Sequence, residues 1–199
     1  MAVSVTPEQV RELRDRTGAG VMDCKRALED AGGEMEKAIE LLRERGMARA
    51  AKREARRAAE GHVSHYIHLG GKIGALAEVN CETDFVARTP EFLKFAHEVA
   101  MQVASMDPDY VRREDVPSEV IEKENEIYRT QAEQEGKPEK VRDKIAEGRL
   151  EKFFNDVCLM EQPYIRDPEK TIEDLRKELA AQVGENVVVR RFVRFQVGQ

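Results

Sequence analysis

HVSHYIHLGGKIGALAEVNC, His62–Cys81, is the stretch that decides the architecture. In its second half Ile73, Ala75, Ala77, Val79 and Cys81 recur at every second position, which puts them on one face of an extended chain. Gly70-Gly71 separates this run from a first one, HVSHYIHL, and supplies the backbone freedom of a two-residue hairpin turn. A two-stranded hairpin is marginal in water, so a third strand must return to it. NVVVRRFVRFQV at 186–197 is the candidate, with Val187, Val189, Val193, Phe195 and Val197 alternating.

Upstream of the hairpin the apolar period is 3.6 rather than 2. Thr6-Pro7-Glu8-Gln9 combines an N-cap threonine, proline at the first helical position and a glutamine that completes a capping box. Val10 and Leu13 form the apolar side of that helix, which Thr17-Gly18-Ala19-Gly20 breaks. A second helix is expected over about 21–31, with Val21, Cys24, Leu28 and Ala31 near one face and Gly32-Gly33 ending it. A third carries Met35, Ala38, Ile39 and Leu42; Gly46 then punctuates, and an Ala/Arg-rich helical connector runs to about Glu60.

Downstream, Thr89-Pro90-Glu91 opens a helix buried along Phe92, Phe95, Ala96, Val99 and Val103. Charged helical segments follow at about 118–135 and 138–155, a short edge segment near DVCLMEQPYI stops at Pro163, and a helix at about 171–183 leads into the last strand. The fold class is therefore α+β: a three-helix N-terminal domain (1–45), a basic helical linker (46–60) and a core domain (61–199) with a short antiparallel sheet packed by helices.

With 199 residues, 41% of them hydrophobic and 36% charged, the chain is long enough for a real core and too apolar to be disordered. No apolar run approaches the ~20 residues of a membrane span, so no membrane partner is expected. MAVSVTPEQV has neither the flank and apolar block of a signal peptide nor the Arg-rich, acid-free character of a transit peptide, and the expected location is the cytoplasm. Cys24, Cys81 and Cys158 are far apart, odd in number and match no CxxC spacing, which suits buried thiols in a reducing compartment. Net charge is −6 but uneven: residues 43–57 hold seven basic and two acidic side chains, while 107–147 hold thirteen acidic and eight basic ones. The basic stretch reads as a solvated linker helix; no aromatic interleaves its arginines, and no direct nucleic-acid contact is expected.

Several constellations fail chemically. Asp23 stands where a dinucleotide-binding turn needs its third glycine, and that turn follows a helix rather than a strand. His62, His65 and His68 lie on a strand, which points His65 away from the other two, so a shared metal site has no geometry. No spacing demands catalysis, and neither cofactor nor metal is expected. Thr83-Asp84-Phe85-Val86 differs in kind, because strand-to-helix connections combine a rigid base with an accessible tip. From the residues alone Phe85 is as readily helix-packing core as a contact held out for a partner.

Four stretches together resemble the elongation factor Ts family, the guanine-nucleotide exchange factors of elongation factor Tu. They are LRDRTGAGVMDCKRAL (13–28), EVNCETDFVAR (78–88), EGRLEKFFNDVCLMEQPYI (147–165) and GENVVVRRFVRF (184–195), in matching order over nearly the whole chain. The resemblance implies a ubiquitin-associated-like N-terminal domain that docks on elongation factor Tu through Val21, Met22 and Lys25. It implies that Asp84 and Phe85 disturb the magnesium and phosphate site of that partner, with Thr83 and Val86 shaping the turn, and that His68 is a further contact. It also implies exchange without covalent chemistry, so no enzyme, and a short form with one core copy that pairs into a homodimer through the core sheet. A strand cysteine that some short members use is absent here, Val193 standing in the middle of RRFVRF, so the pairing must be non-covalent. Two readings from other classes compete: an RNA-binding factor using 43–57 with Arg190, Arg191 and Arg194, and a thiol enzyme using Cys81.

Overall fold

Thr6 caps the first helix as the capping box requires: its hydroxyl accepts the Gln9 N–H at 3.3 Å and its own N–H donates to Gln9 Oε1 at 3.0 Å. The computed structural model describes residues 5–51 and 53–198; the leading residues 1–4 and Lys52 of the basic stretch lie outside the described residues. The chain divides into two compact units. One comprises Met1–Gly61, Asn80–Phe92 and Leu175–Val188; the other comprises His62–Val79, Leu93–Asp174 and Val189–Gln199.

In the first unit α1 (Pro7–Thr17), α2 (Val21–Asp30) and α3 (Met35–Ala51) enclose a core of Leu13, Cys24, Ala27, Leu28, Ala31 and Ala38. Gly18 ends α1 with φ of 68°, a left-handed conformation that glycine adopts without a Cβ penalty, and its N–H donates to Arg14 O. Cys24, Leu28 and Ala31 share the buried face as the spacing requires, whereas Val21 is exposed, one position into α2. Gly46 does not stop α3. The helix continues to Ala51, and a Cβ on Gly46 would stand 3.0 Å from that of Ala181 on α8 (Ile172–Val183). The glycine permits a close helix contact rather than marking a boundary.

The connector is likewise not helical to Glu60. Residues 53–56 form a turn, with Arg56 N–H donating to Arg53 O, and β1 (Glu60–Ile67) has already begun at Glu60. The physical reason is the side chain of Asn186, whose amide donates to the carbonyls of Glu54 and Arg56 and holds them in a non-helical arrangement.

The sheet runs β1–β2–β5 and is antiparallel, with β2 (Ile73–Cys81) in the middle and β5 (Val188–Gln196) returning beside it. The Gly70-Gly71 turn is longer than two residues. The strands stop at Ile67 and Ile73, His68 N–H donates to Ile73 O, Gly71 N–H donates to His68 O, and both glycines have positive φ. Ala75, Ala77, Val79 and Cys81 are buried as the alternation predicts. In the second unit α5 (Pro90–Met106) covers that inner face: the His97 ring meets Tyr66 edge-on, and Arg194 Nε donates to Ala104 O.

The alternation expected along β5 slips by one residue. Val187 and Val189 are buried, Arg190 and Arg191 are consecutively exposed, and Val193, Phe195 and Val197 then stand in solvent. Arg194 takes the inward position, its side chain 11% exposed, and pairs with Asp107 at 3.0 Å. One extra residue in a strand exchanges its faces, and here a charged hydrogen bond near the end of α5 favours the exchange. As a result the outer sheet face carries Ile67, Leu76, Phe195 and Val197 around Gly74, where a Cβ would stand 2.8 Å from Ile67 Cδ1.

The rest of the second unit is a hairpin of α6 (Ser118–Gln134) and α7 (Glu139–Val157), tied by Arg129–Asp143, Arg142–Glu133 and Arg149–Glu135. The expected edge segment becomes a single 3₁₀ turn at Leu159–Glu161 followed by β3 (Pro163–Tyr164) paired with β4 (Asp167–Thr171), a strand the sequence did not reveal. Two buried polar side chains of α5 hold it: Glu98 accepts from the Tyr164 hydroxyl and Arg166, and Gln102 bonds Gln162, Pro163 O and Ile165 N–H. No described helix is long and apolar enough to cross a membrane.

Candidate functional site

The turn after β2 is a single helical turn, α4 (Asp84–Ala87), set before the N-terminus of α5. Thr83 is its N-cap, extended in backbone, with its hydroxyl oxygen accepting the Val86 N–H at 3.4 Å. Thr89 then starts α5: its hydroxyl donates to Val86 O at 2.8 Å and accepts the Phe92 N–H. A four-residue helix capped at one end and butted against a second cap has little freedom. Its side chains divide sharply. Ala87 is buried, Val86 and Asp84 are half-buried, and Phe85 is 81% exposed. The Phe85 ring is therefore not part of a packed core. Asp84 Oδ2 accepts from Arg88 at 2.8 Å, an exposed i,i+4 pair of the kind that contributes little to stability and is easily exchanged for another partner.

Beneath the turn lies Cys81, whose thiol donates to Thr83 O at 3.1 Å. Burial, reinforced by the negative charge of Glu185, pushes its pKa from 9.0 to about 11. Cys158 is likewise pushed up to about 11 by burial, and Cys24 is raised by burial. A nucleophilic cysteine needs the thiolate, and burial here opposes it. The thiol-enzyme reading loses its chemistry.

The first unit also brings a second segment to the turn. After α8, Gly184 takes φ of 75° and turns the chain so that Glu185 and Asn186 face Glu82 and Thr83. Sequence reasoning missed Glu185, because only the fold joins residues a hundred positions apart; a carboxylate immediately after a helix-ending glycine was the available signal.

The other expected site residues fall in two places. Val21, Met22 and Lys25 lie in the first and second turns of α2, with Val21 and Met22 more than half exposed and Lys25 exposed 3.9 Å from Glu29. Two adjacent exposed apolar side chains on a helix whose buried face is already complete form a small contact surface. His68 belongs to the second unit, exposed at the start of the hairpin turn with its Nδ1 3.4 Å from the Tyr66 hydroxyl. Three arginines of the basic stretch are paired: Arg43 with Glu178, Arg45 with Asp30 and Arg56 with Glu82. Of the strand arginines, Arg191 pairs with Glu78 and Arg194 is turned inward. Among the described residues no group of three or more His, Cys, Asp or Glu side chains is arranged to hold a metal ion.

A solvent-exposed ring on a capped turn above a buried thiol, and two exposed apolar side chains at the start of α2, mark an α+β protein with apolar surface left open to contact. The chain belongs to the elongation factor Ts family: residues 22–199 match the family described as Elongation factor TS. It is 62% identical over 195 residues to Elongation factor Ts of Carboxydothermus hydrogenoformans, covering 98% of this chain and 90% of that protein. It is 60% identical to Elongation factor Ts of Caldanaerobacter subterraneus subsp. tengcongensis, covering 98% of each. Against Elongation factor Ts of Moorella thermoacetica the identity is 59%, over 98% of this chain and 96% of that protein. The chain is thus a factor of translation elongation.

Proposed function

We propose that this protein is the guanine-nucleotide exchange factor of elongation factor Tu in the cytoplasm, and that Phe85 and Asp84 are the groups that loosen GDP. The single observation that carries the reading is the Phe85 ring, held in water on a doubly capped turn. Leaving a phenylalanine in solvent forgoes about 1.5–3 kcal/mol that a pocket would return. A rigid turn delivers that energy to a partner without the entropy cost of ordering a loop on binding. The N-terminal helical domain docks first through Val21, Met22 and Lys25. The core then inserts Phe85 between elements of the partner near its magnesium and phosphate site, while Asp84 leaves Arg88 to disturb the groups that orient the metal. Magnesium demands a near-ideal octahedron, so a small displacement of its ligands weakens nucleotide binding steeply. His68 supplies a further contact.

Exchange of this kind is linkage. If the factor weakens GDP binding, GDP weakens the factor's binding by the same amount, and couplings of about 1–3 kcal/mol are typical. GTP then captures the emptied partner, and nucleotide concentrations set the direction. The outer face of the sheet serves a different contact, a homodimer held without a disulfide. The direct test is release of a fluorescent GDP from elongation factor Tu. Maximal release should fall about a hundredfold in Phe85→Ala, the range of an interface hot spot, and about tenfold in Asp84→Ala. Unchanged release in both variants overturns the assignment.

A further inference from the structure

The turn is bonded to a second segment besides its own caps. The N–H groups of Glu82 and Thr83 both donate to Glu185 Oε2 at 3.0 Å, and the Thr83 hydroxyl donates to Glu185 Oε1 at 2.6 Å. In return the Asn186 N–H donates to Glu82 Oε1 at 2.7 Å, and Arg56 lies 3.6 Å from the other oxygen of that carboxylate. Two segments a hundred residues apart in sequence thus each offer a carboxylate to the other's backbone. The hydroxyl of Thr83 has one proton. Because that proton is committed to Glu185, the oxygen lone pairs are turned toward the Val86 N–H, which is the capping bond of the turn that carries Asp84 and Phe85. The Glu185 end is itself anchored. Asn186 is buried and its amide grips the carbonyls of Glu54 and Arg56, and Arg176, also buried, donates to Val187 O and to Glu54.

We infer that Glu185 is a positioning residue for exchange: acting through Thr83, it fixes the direction in which Phe85 and Asp84 are presented to the partner. The inference rests on the proposed role of Phe85, and its test separates the two. Glu185 touches neither partner nor nucleotide in this account, so its loss lowers the rate at saturation without weakening docking through α2.

The experiment pairs fluorescent-GDP release from elongation factor Tu with amide hydrogen exchange of the free, full-length factor. In Glu185→Ala the Glu82 and Thr83 amides should exchange at least about tenfold faster, as expected when bonds to a charged acceptor are lost, while the middle of α5 stays protected. Maximal GDP release should fall about tenfold, with the half-saturating concentration of factor unchanged within about twofold. Glu185→Gln keeps one carbonyl oxygen for the two N–H groups and an NH₂ that can donate to the Thr83 oxygen, so release should stay within about threefold of the parent. In a Phe85→Ala background, Glu185→Ala should cost clearly less than in the parent, the remainder being the share that acts through Asp84. Unchanged amide exchange, unchanged maximal release, or a fully additive loss in the double variant overturns the inference. If Phe85→Ala alone leaves release intact, the role of Phe85 falls, and the amide exchange of Glu82 and Thr83 still decides whether Glu185 braces the turn. Should Glu185→Ala fold poorly, Thr83→Val keeps the shape, deletes the same hydroxyl and must show the same loss at saturation.

Discussion

The Thr83–Val86 turn and the outer face of the sheet both leave apolar side chains in water, and they do so in opposite ways. The turn exposes one ring, from a four-residue helix fixed by caps at both ends and by a carboxylate beneath it. The sheet exposes several side chains, Ile67, Leu76, Phe195 and Val197, spread over three strands around a glycine that brings Ile67 close. A lone braced ring suits a pocket that must be entered. A broad apolar face suits another flat apolar face. The difference separates the two proposed partners: elongation factor Tu at the turn, a second copy at the sheet.

That separation can be broken by substitution. The largest effect should be Phe85→Ala, with its loss of about a hundredfold in maximal GDP release and no change in self-association by sedimentation. Phe195→Asp should do the reverse. Placing a charge in the apolar sheet contact should raise the dimer dissociation constant by about fiftyfold, read by light scattering across a dilution series, with the Phe85-dependent step intact. If Phe195→Asp leaves the mass unchanged, the sheet face is not the dimer contact.

Alkali should act on the turn and spare the sheet face. The Cys81 pKa is raised from 9.0 to about 11, so its contribution to stability is complete below pH 9. It is lost as pH rises from 9 through 11, because the unfolded chain gives up the proton first. Cys81 should account for about 2 kcal/mol of stability lost over that interval, measured by urea unfolding, and Cys81→Ala should remove that share. The smallest effect is expected at α2. Val21→Ala and Met22→Ala should each raise the half-saturating factor concentration about fivefold and leave maximal release unchanged, because they act in docking rather than in opening the site.

The helices and most of the sheet were legible because local physics specifies them. Thr6, Gly18 and Thr89 cap helices through bonds that span three or four residues, and the alternation of Ala75, Ala77, Val79 and Cys81 needs only the geometry of one strand. Boundaries failed where a distant group intervened. Gly46 looked like a stop and is a contact with Ala181; residues 53–59 looked helical and are bent by Asn186. Along β5 the pattern of apolar residues was correct as a pattern and wrong as a face, because Arg194 found Ala104 O and Asp107 on the inner side.

By itself, the sequence determined an α+β protein with a three-helix start, a returning third strand and an aromatic on a strand-to-helix turn, since each follows from periodicity and capping within a few residues. Only the tertiary structure decided that Phe85 stands in water, that Val193, Phe195 and Val197 join the outer face, and that Glu185 lies under Thr83. Those outcomes depend on which groups meet across a hundred residues of chain. A carboxylate with three donors in reach, or an arginine with a helix carbonyl in reach, changes the direction of a side chain in ways that no local propensity encodes.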